Sequence, residues 1–348
     1  MPDSPVVATR RPTRSRRELV ARVASRIGLL RTLRQLRANR GLLVLAYHRV
    51  GDPRHCPYNE ELFSVTAAGL ADHVRLIQRW ARIASLEELT GRHLGGGAPS
   101  EPLVLLTFDD VYRDNYAEAL PILRRAGTTA TFFVPTGLIE QGHVPWWDRI
   151  AYAVKHARVD ACRLDYPDGF ELTGLRHEPH SAMVRLLRLY KRDAALDKER
   201  LVSAVEAATG ASALADAQRG ELFASWAELR EMAAAGMALA SHTHTHRLLG
   251  HLPYAEQREE LARSQAVLQQ QTGVATTSIA YPVGQRGHFN ADTRQALQEL
   301  GYRAGFSHYG GWNRAVTDPY DIRRVRMDAT VDAELLHAAV SLPRLFAT

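Results

Sequence analysis

The segment that most constrains the fold is Leu103-Val-Leu-Leu-Thr-Phe-Asp-Asp110, in which an apolar run leads almost directly into two carboxylates. A short run of this kind is typical of a strand that is buried on both faces of a sheet. Because charges are costly to bury without a partner, the strand is predicted to end at a site that uses Asp109 and Asp110. Adjacent strand residues point to opposite sides, so the two acids are expected to have different roles. A solvated turn followed by a helix N-cap is the alternative interpretation.

Strands and helices are predicted to alternate around this segment. A buried strand at 41–50 precedes it, a helix follows at about 115–126, and Thr129-Ala-Thr-Phe-Phe-Val134 is the next strand. This βαβ unit favours a parallel sheet. Further strands are predicted at 237–240, 278–284, 302–307 and 322–327, with helices at about 254–271 and 291–300. Residues 138–225 interrupt the alternation with a predicted hairpin and charged helices, which indicates an insertion within a domain of residues 41–348.

The basic character of the chain is concentrated at its N-terminus. Residues 1–40 contain eleven arginines against Asp3 and Glu18, which gives +9, so the remaining residues carry −3 of the total charge of +6. Residues 1–16 are predicted to be a disordered arm. Residues 17–40 have the spacing of a basic amphipathic helix, which can lie on an anionic membrane or pack on its own domain. No aromatic residues are interleaved with these arginines, so nucleic-acid binding is not favoured.

The rest of the composition is that of an ordinary globular protein, with 45% hydrophobic and 24% charged residues. Cys56 and Cys162 form no disulfide framework and are interpreted as buried free thiols. The sequence contains neither a secretory leader nor an apolar run long enough for a membrane span. The expected location is the cytoplasm, with the basic helix as a means of peripheral association with the inner membrane surface.

A second unusual segment, Ser241-His-Thr-His-Thr-His246, follows another apolar strand. In a helix, His242 and His246 would share one face, whereas in an extended segment His244 would join them, and the spacing does not choose between the two. A solvated histidine-rich turn is the third interpretation. Two histidines and one carboxylate leave open positions on a divalent ion such as zinc. Such an ion lowers the pKa of its bound water to about 7, and a second carboxylate can then act as general base.

Three further residues have both a structural and a functional interpretation. His48 follows the first strand, where it is either a packed histidine or a ligand at the carboxyl end of the sheet. Trp146 and Trp147 either pack in the core or stack on a sugar ring. The acid pair at Asp109 and Asp110 and the histidines of residues 242–246 follow two different strands. They can meet because both strand ends project from the same rim of a parallel barrel or sheet.

These residues together resemble the metal-dependent polysaccharide deacetylases of carbohydrate esterase family four, which share the nodulation-type chitooligosaccharide deacetylase homology domain. Thr107-Phe-Asp-Asp110 resembles the first family motif, Ser241-His-Thr-His-Thr-His246 the second, and Ile279-Ala-Tyr-Pro-Val-Gly284 a form of the third. Their order also agrees, and the resemblance covers about residues 41–330. It implies a distorted (β/α) barrel with fewer than eight regular units, and an enzyme that removes acetyl groups from an N-acetylated sugar.

The resemblance also assigns roles to individual residues. Asp109 would be the general base, while Asp110, His242 and His246 would bind the divalent metal, most simply Zn²⁺. Backbone near Tyr281 and Val283 would hold the oxyanion, and Trp146 and Trp147 are candidates for contact with the sugar. His244 has no family role and is a candidate for an outer position around the metal.

The chain departs from the family pattern at several positions. Ala280 stands where many members carry an arginine that orients the base, so another residue is needed for that role. Val111 replaces a usual glycine and is expected to narrow the mouth of the site. The general acid is open among His337, which is part of a formal Leu-Leu-His match at residues 335–337, His308 and His48.

The sequence therefore predicts a metal-dependent deacetylase that acts on an N-acetylated polysaccharide, lipid-linked glycan or glycan precursor. A biosynthetic role is favoured, because no leader precedes the chain. The alternative is a carbohydrate-binding relative of the same fold with little or no activity. Ala280 and the missing acid favour that alternative, and the complete set of Asp109, Asp110, His242 and His246 opposes it.

Overall fold

A computed structural model describes residues 40–211 and 222–347, apart from the side chain of His55. The basic arm predicted at 1–40, with its amphipathic helix at 17–40, lies outside these residues except for Arg40. No helix within the described ranges is both long enough and apolar enough to cross a bilayer.

The strands are numbered in chain order. They are β1 (Gly41–Tyr47), β2 (Arg49–Val50), β3 (Phe63–Val65), β4 (Arg82–Ile83), β5 (Pro102–Asp109), β6 (Thr131–Val134), β7 (Ala161–Arg163), β8 (Glu171–Thr173), β9 (Ala238–Ser241), β10 (Ser278–Ala280), β11 (Ala304–Phe306) and β12 (Arg324–Arg326).

The α-helices are α1 (Ala67–Trp80), α2 (Leu86–Glu88), α3 (Leu120–Arg125), α4 (Thr136–Gln141), α5 (Trp146–Lys155), α6 (Pro179–Arg192), α7 (Lys198–Thr209), α8 (Trp226–Ala234), α9 (Tyr254–Thr272), α10 (Ala291–Glu299), α11 (Ala333–Ser341) and α12 (Pro343–Phe346). Short 3₁₀ segments lie at Pro53–His55, Glu60–Leu62 and Leu249–His251, and π-helical turns lie at Leu89–His93 and Asn115–Ala119.

The central sheet is parallel and nearly closes into a barrel. Its strand order is β11-β10-β9-β6-β5-β1-β12. Two strands share one edge of β5: β4 pairs with the first half of β5, and β6 pairs with the second half of β5. A parallel bridge joins Phe306 to Ile322, just before β12, so the two ends of the sheet approach each other. This confirms the predicted distorted barrel with fewer than eight regular units. Because the pairings are parallel, the carboxyl ends of the strands meet at one rim.

Strand β5 is buried on both faces, as its apolar run predicts. Val104, Leu106 and Phe108 pack in the cluster between the sheet and the outer helices, whereas Leu103 and Leu105 pack in the cluster inside the barrel. The period of two continues through Thr107 and places Asp109 on the inner side. Asp110 then leaves the strand with a left-handed backbone of φ 69.

Residues within the stretch predicted as an insertion build a hydrophobic cluster of their own, which includes Leu138, Ile150, Leu186, Val202 and Phe223. Helices α5, α6 and α7 supply most of its members. Strands β7 and β8 pair antiparallel, which confirms the hairpin predicted around Pro167-Asp168-Gly169. This cluster places α5 and α6 beside the rim of the barrel, where both helices line the cavity described below.

Candidate active site

The loop that follows β9 brings His242 and His246 together without forming either a helix or a strand. Thr243 and His246 have left-handed backbones, with φ 63 and φ 59, so the chain turns twice within the motif. Ser241 Oγ accepts a hydrogen bond from the Thr243 N–H at 3.1 Å, and Thr243 Oγ1 accepts one from the His246 N–H at 3.0 Å. The ring centroids of His242 and His246 are consequently 4.7 Å apart and nearly perpendicular.

A buried glutamate from α9 holds the next part of the same loop. Glu260 Oε2 accepts hydrogen bonds from the N–H groups of His244 at 3.0 Å and Thr245 at 2.8 Å, and Oε1 accepts one from the Thr245 hydroxyl. Sequence reasoning did not identify Glu260. The sequence offered one local indication of its role, which is that this acidic residue lies on the buried side of a mostly polar helix.

Asp110 and the two histidines form one compact donor set. Asp110 Oδ1 lies 3.6 Å from His242 Nε2 and 3.4 Å from His246 Nε2, and it accepts no hydrogen bond. His242 Nδ1 lies 2.8 Å from the Ala280 carbonyl oxygen. A carbonyl can only accept, so Nδ1 carries the proton and the lone pair of Nε2 points to the shared centre. Asp110, His242 and His246 offer ligand atoms within 4.8 Å of one another.

The electrostatics of this donor set fit a divalent cation. Burial lowers the pKa of His242 and, more strongly, that of His246, so both imidazoles are neutral near pH 7. Burial raises the pKa of Asp110 well above its usual range, and the charges of Asp109 and Asp148 raise it further. A buried carboxylate without a hydrogen bond and two neutral imidazoles form a set that a divalent transition metal would satisfy.

Asp109 is held by an arginine from the far edge of the sheet. Arg324 Nη1 donates to Asp109 Oδ1 at 2.6 Å and Nη2 donates to Oδ2 at 2.8 Å, and both side chains are buried. Burial works to raise the pKa of Asp109, but the charge of Arg324, with smaller contributions from His242 and His48, holds that pKa below its usual range. Arg324 thus fixes both oxygens of Asp109, and the family-motif position Ala280 carries no side chain that could do so.

His48 and His308 lie beside Asp109. His48 Nε2 is 3.9 Å from Asp109 Oδ2, and its ring is stacked with that of His308 at a centroid distance of 5.7 Å. His308 Nε2 is buried and has no hydrogen-bond partner. Burial lowers the pKa of His48 to about 4 and holds the pKa of His308 well below its usual value. Both histidines line the cavity, so both remain positioned for proton transfer.

Two predicted contacts at the site are wrong. Tyr281 is fully buried, stacks on Phe289 and donates its hydroxyl hydrogen bond to the Tyr320 carbonyl, while its own N–H donates to Phe306. Neither its ring nor its N–H is therefore available to a substrate. His337 lies on α11 and stacks on Trp80 at 4.9 Å, away from the cavity-lining residues, so it is not a candidate acid.

Val111 and His244 also differ from expectation. Val111 does not narrow the mouth, because its side chain is completely buried in the outer cluster. The valine instead strains the backbone, because its φ is 48 and a β-branched residue is unfavourable in the left-handed region. His244 is not part of the candidate donor set and contacts Thr136 Oγ1 through Nδ1 at 2.9 Å.

The two tryptophans differ in their surroundings. The Trp147 ring lies 4.4 Å from that of His246, and its Nε1 donates to Tyr112 Oη at 2.7 Å, so Trp147 packs against a candidate ligand. Tyr112 in turn donates to the buried Asp148 at 2.6 Å. Trp146 stacks on Tyr190 at 3.6 Å. Both tryptophans and Val283, whose backbone is left-handed, line the same cavity.

This cavity has a volume of about 600 Å³ and connects the candidate site to the surface. Its buried end contains Asp109, Asp110, His242 and His246, which are 2–6% exposed. A volume of this size is in the range of sites for small organic ligands. The sheet thus supplies the reactive groups, and the helices of residues 138–211 supply one wall.

Residues 96–305 match the family described as Polysaccharide deacetylase. The chain belongs to this family. A curated relative, the putative polysaccharide deacetylase YxkH of Bacillus subtilis (strain 168), is 25% identical over 229 residues, which are 66% of this chain and 53% of the relative. The chain therefore spans about half the length of that relative.

Solved structures show the same fold. The Streptococcus pyogenes deacetylase PplD in complex with acetate is 19% identical, with a TM-score of 0.56 over 84% of this chain and 95% of that chain. IcaB from Ammonifex degensii is 20% identical, with a TM-score of 0.55 over 87% of this chain and 97% of that chain. These similarities agree with the barrel described above.

Proposed function

We propose that this protein is a metal-dependent hydrolase that removes the acetyl group from an N-acetylated sugar of a polysaccharide or glycan precursor. The observation that carries the proposal is the position of Asp110 Oδ1, which has no hydrogen bond and lies within 3.6 Å of two imidazole nitrogens, next to the ion-paired Asp109. A relative and a solved structure of the same fold are both described as deacetylases, which supports the reaction type.

Asp110, His242 and His246 would hold the metal. A divalent ion there, most simply Zn²⁺, would acidify a water molecule to a pKa near 7 and polarise the acetyl carbonyl. The hydrogen bond from His242 Nδ1 to the Ala280 carbonyl fixes the ring and its tautomer, so Nε2 stays directed at the centre.

Asp109 would act as the general base. Its ion pair with Arg324 keeps it anionic at neutral pH and fixes both oxygens, while each oxygen retains a lone pair to accept a proton from the attacking water. The alternative of a carbohydrate-binding protein without activity was favoured mainly by Ala280, which leaves the third motif without its arginine. Arg324 from β12 would take the place of that arginine beside Asp109, so this argument for the alternative is lost.

His308 would donate a proton to the leaving amine nitrogen, because its Nε2 lies in the cavity without a hydrogen-bond partner. Burial lowers its pKa, and the negative charge that develops on the acetyl oxygen during attack would favour its protonated form. Backbone at Val283 would meet that oxygen and Trp146 would contact the sugar ring, since both residues line the cavity.

The test is acetate release from a panel of N-acetylated glycans, together with metal analysis of the purified protein. We expect about one divalent ion per chain, loss of acetate release after chelation and recovery when Zn²⁺ is returned. A protein that carries no divalent metal, or that releases acetate equally well after complete chelation, would contradict the proposal.

A further inference from the structure

The open end of the cavity has an excess of positive charge from three separate segments. Arg188, Lys191 and Arg192 come from α6, Arg286 follows β10, and Arg326 lies in β12. We call these five residues the cationic mouth. Apart from Asp109 and Asp110, Glu61 is the one acid that lines the cavity within the described ranges. The excess is local, since the chain outside residues 1–40 sums to −3.

Most of these cations have no acidic partner. Among the described residues, Arg188, Lys191, Arg192 and Arg286 form no ion pair, and Arg286 lies over the Tyr309 ring at 4.6 Å. Arg326 Nε lies 3.7 Å from Asp328 Oδ2, which is a weak contact for a side chain that is 58% exposed. Glu61 is itself 3.3 Å from His180 Nδ1. The charge of the cationic mouth is therefore largely uncompensated.

Ordinary helix stabilisation accounts for only part of this arrangement. Lys191 and Arg192 lie in the last turn of α6, where the helix dipole favours cations. Arg286 and Arg326 belong to other elements, and yet they face the same cavity. Burial and the charge of Arg326 lower the pKa of Lys191, while Glu61 raises it, and both cations line the same cavity. An anion between them would relieve this repulsion.

We propose that the cavity binds an N-acetylated sugar that carries a phosphate or diphosphate ester. The acetyl group would lie at the buried end beside Asp109 and Asp110, and the ester would lie among the residues of the cationic mouth. A phosphate ester carries up to two negative charges and several acceptor oxygens, which matches several unpaired cations better than one carboxylate does. This inference rests on the proposed function for the position of the sugar.

The first test measures binding and needs no turnover. The full chain is titrated by calorimetry with N-acetylglucosamine 1-phosphate and with N-acetylglucosamine. We expect the phosphate ester to bind at least about tenfold more tightly at low salt, with a smaller ratio at high salt. The Arg188→Gln/Arg192→Gln variant should lose most of that preference. The matched control is Arg124→Gln/Arg125→Gln on α3, which removes the same charge from exposed positions outside the cavity and should keep the preference.

Equal affinity for both sugars in the unmodified chain would overturn the inference. A preference that survives in the Arg188→Gln/Arg192→Gln variant would also overturn it, because the phosphate would then be bound elsewhere, for example at a metal. An equal loss in the control variant would attribute the preference to overall charge and would overturn the inference as well. Circular dichroism and thermal unfolding of each variant exclude loss of the fold as a cause.

The second test identifies the source of the ester. Acetate release is compared for a neutral chitotriose, for uridine diphosphate-N-acetylglucosamine and for N-acetylglucosamine linked to a prenyl diphosphate in detergent. A higher kcat/KM for either ester than for chitotriose supports the inference and names the source, whereas a preference for chitotriose contradicts it. If no compound releases acetate while the binding preference holds, the proposed function fails and the anion site stands.

Discussion

Arg324 determines both the charge and the orientation of Asp109. It is completely buried, and besides the two bonds to Asp109 its Nε donates to the Ser307 carbonyl at 3.1 Å. A buried ion pair of this geometry is expensive to break, because removal of one partner leaves the other charge buried alone, at a cost of about 3–5 kcal/mol. The candidate site therefore depends on a residue that touches neither the candidate metal ligands nor the open end of the cavity.

Replacement of Arg324 should change the pH profile as well as the rate. In Arg324→Gln the positive charge that lowers the pKa of Asp109 is lost and burial remains, so that pKa rises. Asp109 is active as the anion, so the acidic limb of the kcat/KM profile should move to higher pH, and the rate near pH 7 should fall by about 10². Arg323→Gln removes the same charge from the exposed neighbouring position and should leave the limb in place. An unshifted limb in Arg324→Gln would contradict the assignment of Asp109.

The two adjacent acids should separate metal binding from proton transfer. Asp109→Asn should retain the divalent ion and lose acetate release by roughly 10²-fold or more, the scale of general-base catalysis. Asp110→Asn should lose affinity for the metal itself, because it removes one of three ligands. Metal content by mass spectrometry, measured beside acetate release, distinguishes the two variants. Equal metal loss in both would mean that the roles are divided wrongly.

The residues of the site differ in how far the sequence could reveal them. The acid pair and the histidine motif were predicted to meet, because each follows an apolar strand in a parallel sheet whose strands end at one rim. The family resemblance then selected Asp110, His242 and His246 among them. Arg324 could not be paired with Asp109 in this way, since 215 positions separate them and the contact depends on closure of the barrel. The available signal was an arginine inside an otherwise strand-like segment. Tyr281 was misassigned because the motif does not reveal that its ring turns into the core.

At the scale of elements, the loop from Ser241 to His246 depends on α9 for its shape. Left-handed residues such as Thr243 and His246 persist only where the surroundings fix them. Glu260 provides this restraint through two backbone N–H groups and one hydroxyl. Sequence reasoning left a helix, an extended segment and a solvated turn open here. The segment is a turn, but a buried one, and the side chain that holds it comes from the next helix along the chain.

Loss of this restraint should weaken the metal site from a distance. Glu260→Ala removes three hydrogen bonds from the loop without touching a candidate ligand, so we expect metal affinity to fall by about 10–100-fold, the range seen for outer-sphere partners. Glu259→Ala, at the exposed neighbouring position of α9, is the matched control and should bind metal normally. Competition with a chromophoric chelator measures both. Unchanged affinity in Glu260→Ala would show that the loop keeps its shape without the helix.

Regular elements were predicted well where the pattern is strong. The strands now bounded as β1, β5, β6 and β9 agree with the predicted apolar runs, and the capping box that opens α8 at Ser225 is present. The helix predicted at about 115–126 is also present, and its first part, Asn115–Ala119, is a π-helical turn that leads into α3.

At the scale of the whole molecule, charge is distributed unevenly. The cationic mouth interrupts a domain whose sum is −3, and the arm of residues 1–40 adds +9 from a separate part of the chain. A substrate with a phosphate ester on a lipid would present its anionic group at a surface that is itself anionic. The arm and the cationic mouth would then act on the same surface, one by retaining the protein and the other by orienting the ester.

The arm should bring the protein to anionic membranes. Apolar residues from Leu19 to Leu36 recur at helical spacing between the arginines, and each basic charge near such a surface contributes about 1 kcal/mol. We expect the full chain to co-sediment with phosphatidylglycerol vesicles at low salt, to be released at high salt, and to ignore neutral phosphatidylcholine vesicles. A chain that lacks residues 1–40 should stay in the supernatant, because the remaining domain carries −3 and is repelled. The Arg124→Gln/Arg125→Gln variant, with the arm intact, should still sediment. If the full chain is indifferent to both kinds of vesicle, or if the shortened chain no longer unfolds cooperatively, the apolar stripe packs on the barrel instead.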